Sequence, residues 1–233
     1  MTYAQSLAQT IQATHESIER RLAEVLAADG GHGPRETHKR TDAFLATTSR
    51  HLAAVDEVLL PAVRAGVPDG RRLAAEYLPA ARQLESDLCL VKARLYGEAH
   101  AVRLSWWQLL RETQEHLVRH DQLEAALAEK LLASGPDEGA DDLAQQLYRA
   151  ELRAPTRPHP YLPHNGRFGR AARRLWAVAD RFWDSAQGRM VPEPKRPPRH
   201  RHDSLVAQYL VADPHFDDGA VLMEHRHRHG APT

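Results

Sequence analysis

The sequence predicts an all-α protein: an up-down-up-down four-helix bundle followed by additional C-terminal helices and a disordered tail. Three observations carry that expectation. Ala, Leu and Arg dominate while aromatic residues make up only 6% of the chain, and straight side chains lose little rotamer freedom in a helix. Apolar residues recur at three- and four-residue steps over four long stretches. Breaks bearing glycine and proline separate those stretches, and 233 residues are enough to bury a sizeable core.

Helix one is expected over residues 4–28, where Leu7, Ile11, His15, Ile18, Leu22 and Val25 fall on one face. It stops at the glycine-rich Asp29-Gly30-Gly31-His32-Gly33-Pro34. Helix two is expected over 35–65 with an inner stripe of Phe44, Thr48, His51, Val55, Val58 and Ala62, and Pro61 should bend or end its last turn because proline removes a hydrogen bond. Helix three follows over 71–96 through Leu73, Tyr77, Leu84, Leu88, Val91 and Leu95. Helix four is expected over 99–134 on a stripe of Trp106, Leu109, Thr113, His116, His120, Leu123 and Leu127, closed by Gly135-Pro136. Two shorter helices are expected over 140–152 and 170–188, with four prolines crowding the segment between them. The later one should dock on the bundle through Trp176 and Trp183. The resulting organisation is a bundle over 1–136, a packed helical extension over 137–191, and a His-, Arg- and Pro-rich disordered tail over 192–233.

Lys plus Arg balances Asp plus Glu at 31 each, so no global field draws the chain to nucleic acid or to an anionic membrane, and neither is expected as a partner. The lone Cys89 sits in an apolar run and has no internal partner for a disulfide. No 18-residue apolar stretch or secretory leader pattern is present. A cytoplasmic location is the expectation.

The pattern Thr-x-x-His-Leu-x-x-x-Asp occurs twice, as Thr48, His51, Leu52, Asp56 and as Thr113, His116, Leu117, Asp121. Imidazole and carboxylate presented by two facing helices are what a metal site inside a helical bundle requires. His15 points to the same core from the apolar face of helix one, and His120 lies one turn beyond His116. Several buried imidazoles converging are difficult to satisfy by hydrogen bonds alone. The candidate metal ligands are therefore His15, His51, His116, His120 and Asp121, with Asp56 as a weaker sixth.

The stretches ATHESIERRL around His15, RHLAAVDEVLLP from His51 and EHLVRHDQLEAAL around His116 resemble the hemerythrin-like (HHE cation-binding) family. APTRPHP followed by a tryptophan-bearing helix is similar to the C-terminal extension of its actinobacterial members. The resemblance implies a metal-binding four-helix bundle, non-haem iron or zinc, and oxygen, nitric oxide or redox sensing. It places bridging glutamates four residues after the helix-two and helix-four histidines, where this chain has Val55 and His120. It also makes Asp121, five residues after His116, a carboxylate ligand. One ion rather than a di-iron centre is expected, because a hydrocarbon bridges nothing. The alternative is a metal-free descendant acting as a helical interaction module. No nucleophile elbow, phosphate loop or placed general acid or base argues for catalysis.

Overall fold

The computed structural model describes residues 3–27, 34–97, 104–135, 140–159, 166–186 and 191–197. Its described residues are helical with no strand: α1 Tyr3–Ala27, α2 Pro34–Ala54, α3 Leu60–Gly66, α4 Gly70–Leu95, α5 Trp106–Ser134, α6 Ala140–Arg153 and α7 Gly166–Ala186. None is long and apolar enough to cross a membrane. Most of the tail expected to be disordered lies outside the described residues.

The long helices start and stop where local chemistry dictates. Ser105 caps α5: its hydroxyl accepts from the Gln108 N–H while the Gln108 side chain accepts from the Ser105 N–H, a reciprocal capping box. That cap sets the start of α5 at Trp106 rather than at 99. Pro61 does not end its helix. The chain passes through a π-helical turn, Val55–Leu59, in which the Leu60 N–H reaches back five residues to the Val55 carbonyl, and Pro61 then falls in the first turn of α3, where a missing N–H costs nothing. Between α3 and α4 the chain turns through Asp69 at φ 57°.

Each long helix buries one stripe. Leu7, Ile11, Ile18, Leu22 and Val25 of α1 share one buried cluster with Phe44, Leu45, Leu52 and Val55, with Tyr77, Leu84, Leu88 and Val91 of α4, and with Leu109, Leu110, Leu117 and Leu127 of α5. α1 packs on α2 and α5, and α4 packs on α2 and α5. The buried threonines cost little, because Thr48 and Thr113 hydrogen-bond the carbonyls of Phe44 and Leu109 one turn back. α6 lies against α1 and α2 through Ala144, Leu147 and Ala150.

The helix carrying Trp176 and Trp183 is oriented opposite to expectation. Leu175, Trp176, Val178, Phe182 and Trp183 are exposed, at 71%, 44%, 63%, 67% and 52%, while Ala177, Asp180 and Asp184 of the same helix are buried. The reason is polar: Asp180 accepts the backbone N–H groups of Thr156 (2.9 Å) and Arg157 (3.0 Å), and Asp184 accepts the Thr156 hydroxyl (2.6 Å). These bonds saturate N–H groups of a proline-interrupted segment that no helix satisfies. Replacing Asp180 with alanine should therefore destabilise by about 1–3 kcal/mol, the cost of losing a buried acceptor. Trp183→Ala should stay within about 0.5 kcal/mol, as at other exposed positions. Thermal unfolding of the two variants checks the ranking.

Residues 191–197 have no regular secondary structure and are held on the helices: Arg50 donates to the Pro192 carbonyl at 2.7 Å and Arg196 to the Tyr148 hydroxyl at 3.2 Å. The first residues of the expected tail, as far as Pro197, thus belong to the folded unit.

Candidate metal centre

Three histidines converge inside the helices. His15 of α1 and His51 of α2 have ring centroids 5.1 Å apart, and His120 of α5 lies 6.3 Å from the first and 6.4 Å from the second. Their exposures are 9%, 1% and 1%. Glu124, one turn after His120 and 0% exposed, closes the group. His15 Nε2 is 3.2 Å from His51 Nε2 and 3.2 Å from Glu124 Oε2, and His51 Nε2 is 3.0 Å from Glu124 Oε2.

His116 is not part of this group. Its side chain is 35% exposed and its Nδ1 meets the buried Asp87 of α4 at 2.5 Å. Measured from His120, positions 117 and 124 lie about as far round the helix on one side as 116 and 123 lie on the other, so hydrophobicity alone favoured the stripe containing Leu123. The packed stripe is Thr113, Leu117, His120, Glu124, Leu127 and Leu131. In the twice-occurring pattern, then, the Thr and Leu play the same core roles in both copies, and only the first histidine enters the cluster. Asp121 is drawn in, its Oδ1 lying 3.2 Å from His120 Nδ1 and 3.5 Å from His15 Nε2. Asp56, buried at 6% in the π-helical turn, acts on the site electrostatically by raising the pKa of Tyr77; the groups with donor atoms within 4.8 Å of one another do not include it.

Sequence reasoning missed three residues. Glu124 and Glu151 carry a common signal, a carboxylate standing on an otherwise apolar stripe: Glu151 follows Ala144, Leu147 and Ala150 on α6 and is 2% exposed. Tyr77 was expected only as a core aromatic.

The second layer decides which nitrogens face the centre. Glu151 accepts from His51 Nδ1 at 2.8 Å, directing Nε2 inward, the arrangement by which carboxylates orient ligating histidines. Tyr77 meets His120 Nε2 at 2.5 Å. Its hydroxyl pKa is raised well above the ordinary value by burial and by Glu124, Asp56, Glu85 and Asp121, so it stays protonated and donates. His120 then donates from Nδ1 to Asp121.

The charge on Glu124 makes the inner triangle attractive to a cation. With Nδ1–H given to Glu151, a neutral His51 turns a lone pair toward the Glu124 carboxylate at 3.0 Å, and two facing lone pairs repel. A hydrogen donated by His15 Nε2, 3.2 Å from both atoms, a proton on His51 or a metal ion between them relieves that repulsion. Burial would lower the His51 pKa, but Glu124 and Glu151 outweigh it and raise it well above the ordinary value. Burial would likewise raise that of Glu124, yet His51 and His15 hold it well below the carboxylate range. Glu124 is therefore an ionised carboxylate in the core, and its Oε1 finds no hydrogen-bond partner among the described residues.

These residues fit a metal ion. Donors bound at about 2.0–2.1 Å to a tetrahedral ion sit about 3.3 Å apart, and the three edges of the triangle are 3.0 to 3.2 Å. The set of two imidazoles and one carboxylate suits zinc or non-haem iron. A second group, His15, His120 and Asp121, shares His15 and has ring-nitrogen and carboxylate atoms within 4.8 Å of one another; Tyr77 and Asp121 engage both His120 nitrogens, which leaves His15 and Asp121 as its ligand atoms.

Comparison with protein-family models, with curated proteins and with solved structures finds no match for the chain.

Proposed function

We propose that the chain is a hemerythrin-like four-helix bundle that holds one non-haem metal ion, iron or zinc, on His15, His51 and Glu124, with His120 and Asp121 beside it. One observation carries this reading: two imidazole nitrogens and an ionised carboxylate, buried and 3.0 to 3.2 Å apart, face one another from α1, α2 and α5. The pairing of α1 with α2 and α5, and of α4 with α2 and α5, supports the bundle; the helix-borne His120-x-x-x-Glu124 supports the family. Bound there, the ion would supply an open position for a small ligand, and the resemblance gives oxygen, nitric oxide or redox sensing as the role.

Elemental analysis of the untagged full-length chain, with Glu124→Gln as its reference, tests the reading. The His-rich tail is common to both, so the difference isolates the core site. One ion per chain more in the native protein is the expected result. A difference of two ions would overturn the single-ion reading, and equal metal contents after reconstitution with iron or zinc would overturn metal binding.

A second reading, a metal-free interaction module, is favoured by the exposed apolar side chains of α7. In it a proton on His51 takes the place of the ion between Glu124 and Glu151.

A further inference from the structure

We infer that the ion reaches the centre through the groove between α1 and α5, and that Asp121 captures it there before it passes to His51 and Glu124. The inference rests on the metal-binding reading above and adds the route, the class of ligand and a residue that acts in loading rather than in holding.

The groove, of about 510 Å³, runs along α1 and α5, and of the candidate ligands His15 and Asp121 line it. Glu16, Glu19 and Glu129 are its charged rim, and no lysine or arginine contributes to its lining. A cleft walled by one sign of charge concentrates ions of the opposite sign and speeds their arrival. This one draws cations and repels anions.

At the inner end of the groove the two donor sets are nested. His15, His51 and Glu124 are all buried, whereas His15, His120 and Asp121 include the partly exposed Asp121, whose side chain is 12% accessible. Asp121 spends Oδ1 on His120. Its Oδ2, buried, has no hydrogen-bond partner among the described residues. That atom is a carboxylate oxygen with lone pairs to give, standing where the groove meets the cluster. His15 belongs to both sets, and its Nε2 lies 3.5 Å from Asp121 Oδ1, 3.2 Å from His51 Nε2 and 3.2 Å from Glu124 Oε2. An ion held by Asp121 and His15 therefore reaches the inner set without releasing His15. Each step exchanges one ligand, water or carboxylate, for another, and the ion keeps its charge throughout.

The test is the rate of Co²⁺ uptake by the metal-free full-length protein. It is followed by the absorption of protein-bound cobalt in rapid mixing, alongside Asp121→Asn, Ala125→Phe and Glu124→Gln. Asn keeps an oxygen for His120 and loses the charge; Ala125 is exposed on the groove wall, so Phe there narrows the route without entering the core. Asp121→Asn and Ala125→Phe should each slow uptake about tenfold or more, the lower end of what electrostatic steering and access contribute, while the final cobalt content matches that of the native chain. Added salt should slow the native protein and affect Asp121→Asn less. Uptake at the native rate by both variants overturns the route and leaves metal binding standing. A loss of final cobalt content in Asp121→Asn as complete as in Glu124→Gln makes Asp121 a resident ligand and overturns the capture role. No core uptake by the native protein overturns both the route and the reading beneath it.

Discussion

Glu124→Gln is expected to lose the core metal, and to lose with it the stabilisation that metal confers. Glutamine keeps the volume and one oxygen of the side chain but removes the charge that makes Glu124 a ligand, inside a core where the carboxylate is fully buried. An ion that binds only the folded state stabilises it by about 2.7 kcal/mol at a hundred times its dissociation constant. The native protein should therefore gain thermal stability on metal addition, while Glu124→Gln gains none. Glu151→Gln alters the group that accepts from His51 Nδ1 and should weaken affinity about 10–100-fold, the usual effect of a residue that orients a ligating histidine. His116→Ala, which lies outside the cluster on Asp87, should leave metal content unchanged. Titration calorimetry and melting with and without zinc would rank the three. Loss of metal in His116→Ala with retention in Glu124→Gln would place the centre elsewhere.

The largest purely structural effect is expected at Gly70. A Cβ there would stand 2.0 Å from the Val63 carbonyl oxygen and 2.8 Å from its carbon. These are backbone atoms of α3, which cannot rotate aside as a side chain would. The start of α4 and the end of α3 must separate by more than an ångström, opening the Leu60 and Val63 side of the core. Overpacking usually costs 1–3 kcal/mol, and a rigid backbone clash belongs at or above the upper end. Gly70→Ala should thus destabilise by about 3–4 kcal/mol, which for a unit of this size lowers the melting temperature by about 6–16 °C. Gly135→Ala is the control, since a Cβ there meets its neighbour at an ordinary 3.5 Å. Similar melting temperatures for the two variants would contradict the tight α3–α4 crossing.

Much of this was legible in the residues themselves. The stripe Leu7, Ile11, His15, Ile18, Leu22 and Val25 is the buried face of α1, because a period near 3.6 leaves no other face for apolar side chains. Two of the three converging histidines, His15 and His51, stand on faces whose remaining members are unambiguous. The third was harder to place. On α5 both the face containing His116 and Leu123 and the face containing Leu117 and Glu124 pass through His120, and a pattern that counts apolar residues discards the one with a glutamate in it. Only the fold, by supplying His15 and His51 opposite Glu124, makes that burial affordable.

For α7 the same bias acted in reverse. Its tryptophans were expected to dock because large apolar side chains usually do, yet Asp180 and Asp184 hold the inward face by satisfying Thr156 and Arg157. The demand for an acceptor arises in the proline-interrupted segment before α7, 24 residues ahead of Asp180. No window along α7 contains it.

By itself the sequence determined the helical class, the helix breaks, most core stripes and the presence of histidine and carboxylate chemistry inside the core, since periodicity, capping and turn residues act over a few neighbouring positions. Tertiary structure alone decided which turn of α5 faces the other histidines, that α6 lends Glu151 to His51, and which face of α7 is turned outward. Each of those depends on where a partner from a distant stretch places its lone pair or proton, and that position is set only when the helices pack.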